Sequence, residues 1–175
     1  MDPPLLVVVT GMPSSGKTTV AEGLARRLRL PLIAKDEIKE SLYESLGAED
    51  VAASGRLGAA AYALIFALSR TTLASGASVI AEANFFRDQA AEFAALPEHR
   101  TLQLHCDAPL ATLLERYSDR SRHAGHHDAE KLKELPARHA SGVHAPLALG
   151  GEHIRLDTTE SLDLDTLAER VRAAL

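Results

Sequence analysis

One stretch near the amino terminus limits what this chain can fold into. Residues 11–19 read Gly-Met-Pro-Ser-Ser-Gly-Lys-Thr-Thr, which has the spacing G-x-x-x-x-G-K-T and follows the apolar run 5–9 directly. Glycines at these two positions let backbone N–H groups wrap an anion, and a helix that begins there aims its positive dipole end at the same group. The stretch therefore predicts a strand, a phosphate-binding loop and a helix in that order.

The side chains of this loop have separate expected roles. We expect Lys17 to place its ammonium group on the β- and γ-phosphates of a nucleoside triphosphate, and the hydroxyl of Thr18 to bind Mg²⁺. A chance Gly/Ser turn is the alternative, but apolar residues four apart at 20, 24 and 28 indicate a helix after the loop. ATP and Mg²⁺ are therefore the expected cofactors. The expected nucleotide contacts in this stretch are Gly11, Ser14, Ser15, Gly16, Lys17, Thr18 and Thr19.

Size and composition restrict the class of protein. The 175 residues fit one domain, residues 1–175, and the net charge of −5 argues against long nucleic acid as the default partner. Cys106 is the only cysteine, so no disulfide forms within the chain, and a buried thiol in a reducing, cytoplasmic setting is expected. The amino terminus lacks the pattern of a signal peptide. The longest apolar run, 57–68, is shorter than the roughly 20 residues that span a bilayer, so we expect a buried helix and no membrane.

Apolar runs alternate with helical patterns along the whole chain. This alternation predicts right-handed β-α-β crossovers and hence a three-layer α/β fold of the P-loop type with a five-stranded parallel sheet. A small helical lid is expected at about residues 116–135. The expected strands are 5–10, 31–34, 78–84, 101–106 and 153–158. One or two helices are expected at 51–73, and further helices from 85 to Pro97, at 110–120, up to about 139, and at 162–175.

Asp36 is the first candidate for chemistry. It lies where the second strand ends and a helix begins, and the carboxyl edge of an open α/β sheet is where ligands bind. A carboxylate there can accept the proton of an attacking hydroxyl while a phosphoryl group is transferred. The alternative is that Asp36 caps the helix that starts at Glu37, and both roles can coexist.

Two polar residues, Glu82 and Asn84, end the third strand. Glu82 is a candidate carboxylate for Mg²⁺, either directly or through water, and Asn84 is a candidate substrate contact. The alternatives for Glu82 are a solvated acid at the strand end and an ion-pair partner for Arg87.

Three arginines precede or begin a polar, Gly-containing loop. Arg116 and Arg120 are four residues apart on one helix face, and Arg122 follows. Arginines on a mobile lid can stabilise the negative oxygens of a transferring phosphoryl group and exclude water, a role that we assign first to Arg120. The alternative is a solvated face paired with Glu115 or Asp119.

Histidines at 123, 126 and 127 lie in the same loop. They suggest a metal site, but no cysteine or spaced fourth ligand accompanies them. We expect a solvated lid, in which His126 or His127 can touch substrate.

Several short motifs, in this order along nearly the whole chain, resemble one family. They are residues 11–19, Lys-Asp-Glu-Ile-Lys at 35–39, Ala-Glu-Ala-Asn-Phe-Phe-Arg at 81–87, the block 107–120, and Leu-Asp-Thr-Thr at 156–159. The chain resembles the small P-loop kinases that include polynucleotide 5′-hydroxyl kinase domains, chloramphenicol phosphotransferase and zeta-toxin-like sugar-nucleotide kinases.

The resemblance implies roles for individual residues. It makes Asp36 the general base and Lys39 a holder of substrate phosphate, as in the polynucleotide kinases. It also places Arg116 and Arg120 in the lid and the segment that includes Thr158 near the adenine. Polynucleotide kinases carry aspartate where this chain has Glu82, and usually more basic charge, so a small hydroxylated acceptor is favoured.

The sequence thus predicts an ATP- and Mg²⁺-dependent kinase that phosphorylates a hydroxyl of a small molecule such as an antibiotic, sugar or nucleoside. The expected catalytic residues are Lys17, Asp36 and Arg120, and the expected substrate contacts are Asp36, Lys39, Asn84 and Arg87. Further substrate contacts are expected from the helical region 39–66 and from Phe85 and Phe86. The alternatives are a nucleic-acid 5′-hydroxyl kinase, a nucleoside monophosphate kinase, and a non-catalytic or partner-regulated nucleotide-binding protein. The identity of the acceptor and the oligomeric state stay open.

Overall fold

A computed structural model of the chain describes residues 2–119 and 128–175, with the backbone alone at 128–131. The strands are β1 Leu5–Gly11, β2 Leu32–Ala34, β3 Val79–Glu82, β4 Arg100–Asp107 and β5 Glu152–Asp157. The helices are α1 Lys17–Leu28, α2 Lys35–Leu46, α3 Val51–Ala74, α4 Ala90–Ala94, α5 Leu110–Asp119, α6 Asp128–Ser141 and α7 Leu164–Ala173, with a 3₁₀ turn at Arg87–Gln89.

The five strands form one parallel sheet in the order β2-β3-β1-β4-β5. Strand β1 is central and every one of its residues is buried, because helices cover both faces of the sheet. Its side chains alternate between two cores: Leu5, Val7 and Val9 face α1 and α7, while Leu6 and Val8 face the side of α3. The predicted three-layer α/β fold with a five-stranded parallel sheet is confirmed.

Helix α3 covers the stretch where one or two helices were expected. Its 24 residues form one continuous helix, which is long and apolar enough to cross a membrane by length and composition alone. One face, which includes Leu57, Ala61 and Ile65, is buried, but only 28% of the apolar window is buried, and Leu64 and Leu68 are exposed. The expectation of a buried helix is therefore wrong for most of this helix. This feature is weak evidence for a membrane span, and the expected absence of membrane association stays a prediction.

The segment after β3 differs from its predicted form. A helix was expected to open at Phe85, but Phe85 is fully buried in the core and the 3₁₀ turn starts only at Arg87. The side-chain oxygen of Gln89 accepts the N–H of Phe86 at 2.9 Å, which fixes this short turn. Phe86 is therefore extended, and both phenylalanines follow the carboxyl end of β3 without helical structure.

Two adjacent glycines before β5 differ in what surrounds them. Gly150 and Gly151 both have positive φ, 70° and 74°. A Cβ atom added to Gly151 would overlap the carbonyl oxygen of Thr101 on β4, whereas one added to Gly150 would meet no atom within 4 Å. The approach of the chain to the sheet edge therefore requires glycine at 151 for space as well as for conformation.

We expect Gly151→Ala to lower the free energy of unfolding by at least about 2 kcal/mol more than the matched variant Gly150→Ala, since only the former adds an overlap. The Gly150 variant pays roughly 1 kcal/mol for the left-handed conformation alone. Urea denaturation of the two variants measures the difference. Equal losses would show that the backbone does not approach β4 as closely as described.

Candidate active site

The loop between β1 and α1 has the geometry that its sequence predicts. Gly16 has a φ of 78° and Ser14 a φ of 64°, both left-handed, and α1 begins at Lys17. A Cβ atom on Gly11 would overlap the carbonyl oxygen of Cys106 on β4. The loop is thus a tight turn at the carboxyl edge of the sheet that opens a helix, the arrangement that binds anions.

Two groups in this loop suit an anionic ligand. The hydroxyl of Ser15 is fully buried and has no hydrogen-bond partner among the described residues. The Lys17 ammonium is also buried, and its Nζ donates to the carbonyl of Met12 at a long 3.5 Å. A buried donor without a partner costs free energy that a phosphate oxygen would recover. Ser14, Thr18 and Thr19 are more accessible.

Glu82 is the residue that faces the loop from β3. Its Oε1 lies 3.8 Å from Lys17 Nζ and accepts the Thr18 hydroxyl at 3.4 Å. Burial raises the pKa of Glu82, and the Lys17 charge offsets part of that rise. Glu82 is only 2% exposed, so it is not a solvated acid at a strand end, and its ion-pair partner is Lys17 rather than Arg87.

Asp36 lies at the same edge, one strand further along. Helix α2 begins at Lys35, and Ala34 caps it in an extended conformation without a side-chain hydrogen bond. Asp36 is therefore in the first helical turn, and the alternative that it caps a helix starting at Glu37 is wrong. Its Oδ1 accepts the Lys35 ammonium at 2.9 Å. Its charge is one of those that raise the pKa of Glu82, which indicates that the two carboxylates are near each other.

The other predicted substrate residues are spread around Asp36. Lys39 is buried, and its Nζ donates to Ser54 Oγ at 2.8 Å, which ties α2 to α3. The half-buried Asn84 follows β3 directly, and its carbonyl accepts the hydroxyl of Tyr62 at 2.8 Å. Arg87 is exposed, and the structure records for it a backbone N–H that donates to the carbonyl of Val143 at 3.3 Å. Asn84 is thus just past the carboxyl end of β3, whereas Lys39 lies between helices.

Arg116, on α5, contacts the segment that follows β5. Its Nη2 donates to the carbonyl of Thr158 at 2.6 Å and to that of Thr159 at 3.3 Å. The side chain of Thr158 in turn lies 3.6 Å from where a Cβ on Gly16 would be. Arg116 therefore holds the segment beside the predicted nucleotide site. Arg120, Arg122 and the histidines at 123, 126 and 127 lie outside the described residues.

The oxygen groups at this edge fit a hard cation. Thr18 offers a hydroxyl and Glu82 a carboxylate, and Mg²⁺ binds to proteins through a few such oxygens while nucleotide phosphates and water supply the rest. In the part of the chain that the structure describes, no group of three or more His, Cys, Asp or Glu side chains is arranged to hold a metal ion alone. This arrangement suits Mg²⁺ that arrives with a nucleotide.

Three residues on the side of Lys35 and Asp36 were not assigned a specific role from the sequence. Tyr62 comes from the middle of α3, Phe86 follows β3, and His144 follows α6. Phe86 was expected only as a general substrate contact. No local pattern marks Tyr62 or His144, because their positions depend on how distant segments pack.

Comparison with known proteins identifies the family. Residues 6–141 match the AAA domain family, and the chain belongs to it. No curated protein matches the chain at the level required of a significant relative.

Solved structures show the same fold. A proposed kinase from Chloroflexus aurantiacus j-10-fl is 35% identical with a TM-score of 0.90, and the alignment covers 99% of this chain and 100% of that one. A sugar kinase from Janibacter sp. HTCC2649 has 21% identity, a TM-score of 0.60, and coverage of 98% and 94%. Shikimate kinase from Bacteroides thetaiotaomicron has 16% identity, a TM-score of 0.53, and coverage of 98% and 97%. The protein therefore has a P-loop fold of the kinase type, whereas the narrower subfamilies that the motifs resemble are not confirmed.

The buried pair of Lys17 and Glu82 allows a quantitative test. We expect Lys17→Met and Glu82→Gln to be strongly non-additive, with a coupling of about 2 kcal/mol in the free energy of unfolding, because each single variant leaves the other group buried without its partner. Urea denaturation without nucleotide measures this double-mutant cycle. The exposed pair Arg26–Glu22, at 3.6 Å, is the matched control and should couple by only about 0.5 kcal/mol. Additive losses at 17 and 82 would contradict the assigned ion pair.

Proposed function

We propose that the protein is an ATP- and Mg²⁺-dependent phosphotransferase that moves the γ-phosphoryl group to a hydroxyl of a small molecule. The observation that carries this proposal is that Asp36 and the Lys17–Glu82 pair lie at one edge of the sheet. Strands β2 and β3 are adjacent, with Ala34 in register with Glu82, which supports a base at residue 36 close to the phosphate loop. The proposed kinase with 35% identity supports the same reaction class.

Each part of the site has a distinct task in this mechanism. The loop amides and the ammonium of Lys17 bind the phosphates and keep them in line with the acceptor. Thr18 and Glu82 would hold Mg²⁺, which neutralises charge on the phosphate oxygens. Asp36 accepts the proton of the acceptor hydroxyl as its oxygen bonds to the γ-phosphorus and the bond from that phosphorus to the bridging oxygen of ADP breaks. We keep Arg120 as the group that stabilises the transferring oxygens.

Lys35 and Tyr62 support the proposed base. The Lys35 ammonium binds Asp36 at 2.9 Å and also lies 5.7 Å from the centroid of the Tyr62 ring. Burial raises the pKa of Tyr62, and the charges of Asp36 and Glu82 add to that rise, so its hydroxyl stays protonated beside both carboxylates. These contacts orient the carboxylate of Asp36 before the acceptor arrives.

Asp36→Asn tests the assignment of the base. We expect the rate of phosphoryl transfer to fall by about 100-fold or more, because the amide does not accept the hydroxyl proton, while ATP still binds. The matched control is Glu37→Gln at the next position, which is exposed and removes the same charge. Coupled ADP release gives the rate, and calorimetry gives the affinity for ATP. Full activity in the Asp36 variant would refute the mechanism.

The reaction class is tested by supplying acceptors. A panel of neutral sugars, nucleosides and hydroxylated antibiotics is incubated with ATP and Mg²⁺, alongside 5′-hydroxyl oligonucleotides and nucleoside monophosphates. The proposal predicts ADP formation that depends on one of the small neutral compounds, with a phosphate ester as the product. Activity confined to oligonucleotides or to monophosphates would establish one of the other kinase types. Hydrolysis that no acceptor stimulates would indicate a nucleotide-binding protein without phosphotransferase activity.

A further inference from the structure

An aromatic wall extends from the proposed base to a buried histidine. The ring of Tyr62 lies 5.7 Å from that of Phe86, and the ring of Phe86 lies 4.9 Å from that of His144, between centroids. Tyr62 and Phe86 are half-buried, so each keeps an accessible part. Because Lys35 links Asp36 to the Tyr62 ring, the wall is continuous with the group that would activate a hydroxyl.

His144 presents one unused hydrogen-bonding atom. Its Nδ1 is 3.2 Å from the carbonyl oxygen of Phe85, and a carbonyl only accepts, so Nδ1 carries the proton. Burial is the largest cause that lowers the pKa of His144 to about 4. The hydrogen bond to the Phe85 backbone opposes it, the positive charges of Arg138 and Lys17 lower the pKa by smaller amounts, and the Asn84 backbone raises it slightly. The ring is therefore neutral at pH 7, and Nε2 is an acceptor. The residue is 2% exposed, and Nε2 has no partner within the described part of the chain.

A buried acceptor without a donor costs free energy, which a ligand donor would recover. Nε2 is covered in this structure, and the half-buried ring of Phe86 lies against the imidazole. A ligand would reach Nε2 where the Phe86 ring shifts from the imidazole, and the ligand would pack its own apolar face on that ring. This requirement favours a compact ring that has an apolar face and a hydroxyl at its edge.

The charges near the wall do not favour an anionic acceptor. Lys35 is paired with Asp36 and Arg138 with Glu134, and a neutral imidazole gives an anion no charge to bind. Lys17 belongs to the proposed nucleotide site, and the ammonium of Lys39 lies between α2 and α3, where it donates to Ser54.

We propose that the acceptor is an uncharged ring compound with at least two hydroxyl groups, of which one is phosphorylated at Asp36 and another donates a hydrogen bond to Nε2 of His144. The ring of the acceptor lies against Phe86 and Tyr62. This inference rests on the proposed phosphotransferase function and specifies its substrate class. His144 acts here as a specificity-determining residue that binds the acceptor and takes no part in the proton transfer.

Two substitutions separate the two nitrogens of His144. The amide of His144→Asn can replace Nδ1–H and donate to the Phe85 carbonyl, but it does not reach the position of Nε2. The longer side chain of His144→Gln places its amide oxygen near Nε2. His139→Asn, at an exposed position on α6, is the control for the substitution itself. Thermal melting of each variant with and without ADP identifies any that fails to fold.

The experiment uses two matched sets of probes with wild-type protein, ATP and Mg²⁺. Neutral ring polyols, namely hexoses, inositols and nucleosides, are compared with their monophosphates and with open-chain alditols. We expect turnover within the neutral ring set only. For the best probe, His144→Asn should raise the KM of the acceptor about tenfold while the KM of ATP stays within about twofold, and His144→Gln should recover most of the loss.

The outcomes distinguish this inference from the function on which it rests. Turnover of phosphorylated or open-chain probes in preference to neutral rings, or an unchanged acceptor KM in a folded His144→Asn variant, would overturn the inference and leave the phosphotransferase function intact. A fall in kcat alone would also overturn it, since that result would assign His144 to the chemical step. If no probe of any set stimulates ADP formation, both proposals fail together. If His144→Asn does not fold, His144→Gln decides: an acceptor KM close to that of the wild type supports the inference, and a KM raised about tenfold overturns it.

Discussion

The register of the three strands β1, β2 and β3 is the constraint on which the site depends. Glu82 at the end of β3 is paired on one side with Val9 and on the other with Ala34. This position brings a buried carboxylate against the ammonium of Lys17 and puts Asp36, two residues beyond Ala34, at the same edge. Because a buried charge without a partner is costly, the pair fixes the phosphate loop relative to the strand that follows it. Contacts of the protein's own side chains thus hold the phosphate loop against β3.

The parts of the fold that depend on residues close together in the sequence could be predicted from it. The glycines at 11 and 16 have positive φ as their spacing requires, and the continuous apolar run of β1 matches a strand covered on both faces. The placement of Asp36 at the carboxyl edge followed from the rule that parallel strands end at a common edge. The contact between Glu82 and Thr18 agrees in position with the expected Mg²⁺ ligands, although that role and the other site assignments stay predictions.

Features that depend on distant segments were not readable. Lys39 was expected at substrate phosphate, but its ammonium contacts Ser54 on α3, and only the packing of α2 on α3 reveals this contact. Arg116 holds the backbone at Thr158, which lies more than forty positions later in the chain. Tyr62 and His144 both contact the ring of Phe86, and no periodicity in the sequence predicts contacts between such distant residues. Helix α2 begins at Lys35, two residues before the start at Glu37 that a capping role for Asp36 would require. Asp36 therefore lies inside the helix.

The most direct test of the account is a crystal structure of the protein with Mg²⁺ and a non-hydrolysable ATP analogue. The quantity to measure is the distance from the γ-phosphorus to the nearer carboxylate oxygen of Asp36. The account predicts about 6 Å, which leaves room for one acceptor oxygen in hydrogen-bond and in-line contact. A separation well beyond about 10 Å, or a carboxylate on the far side of α2, would contradict it.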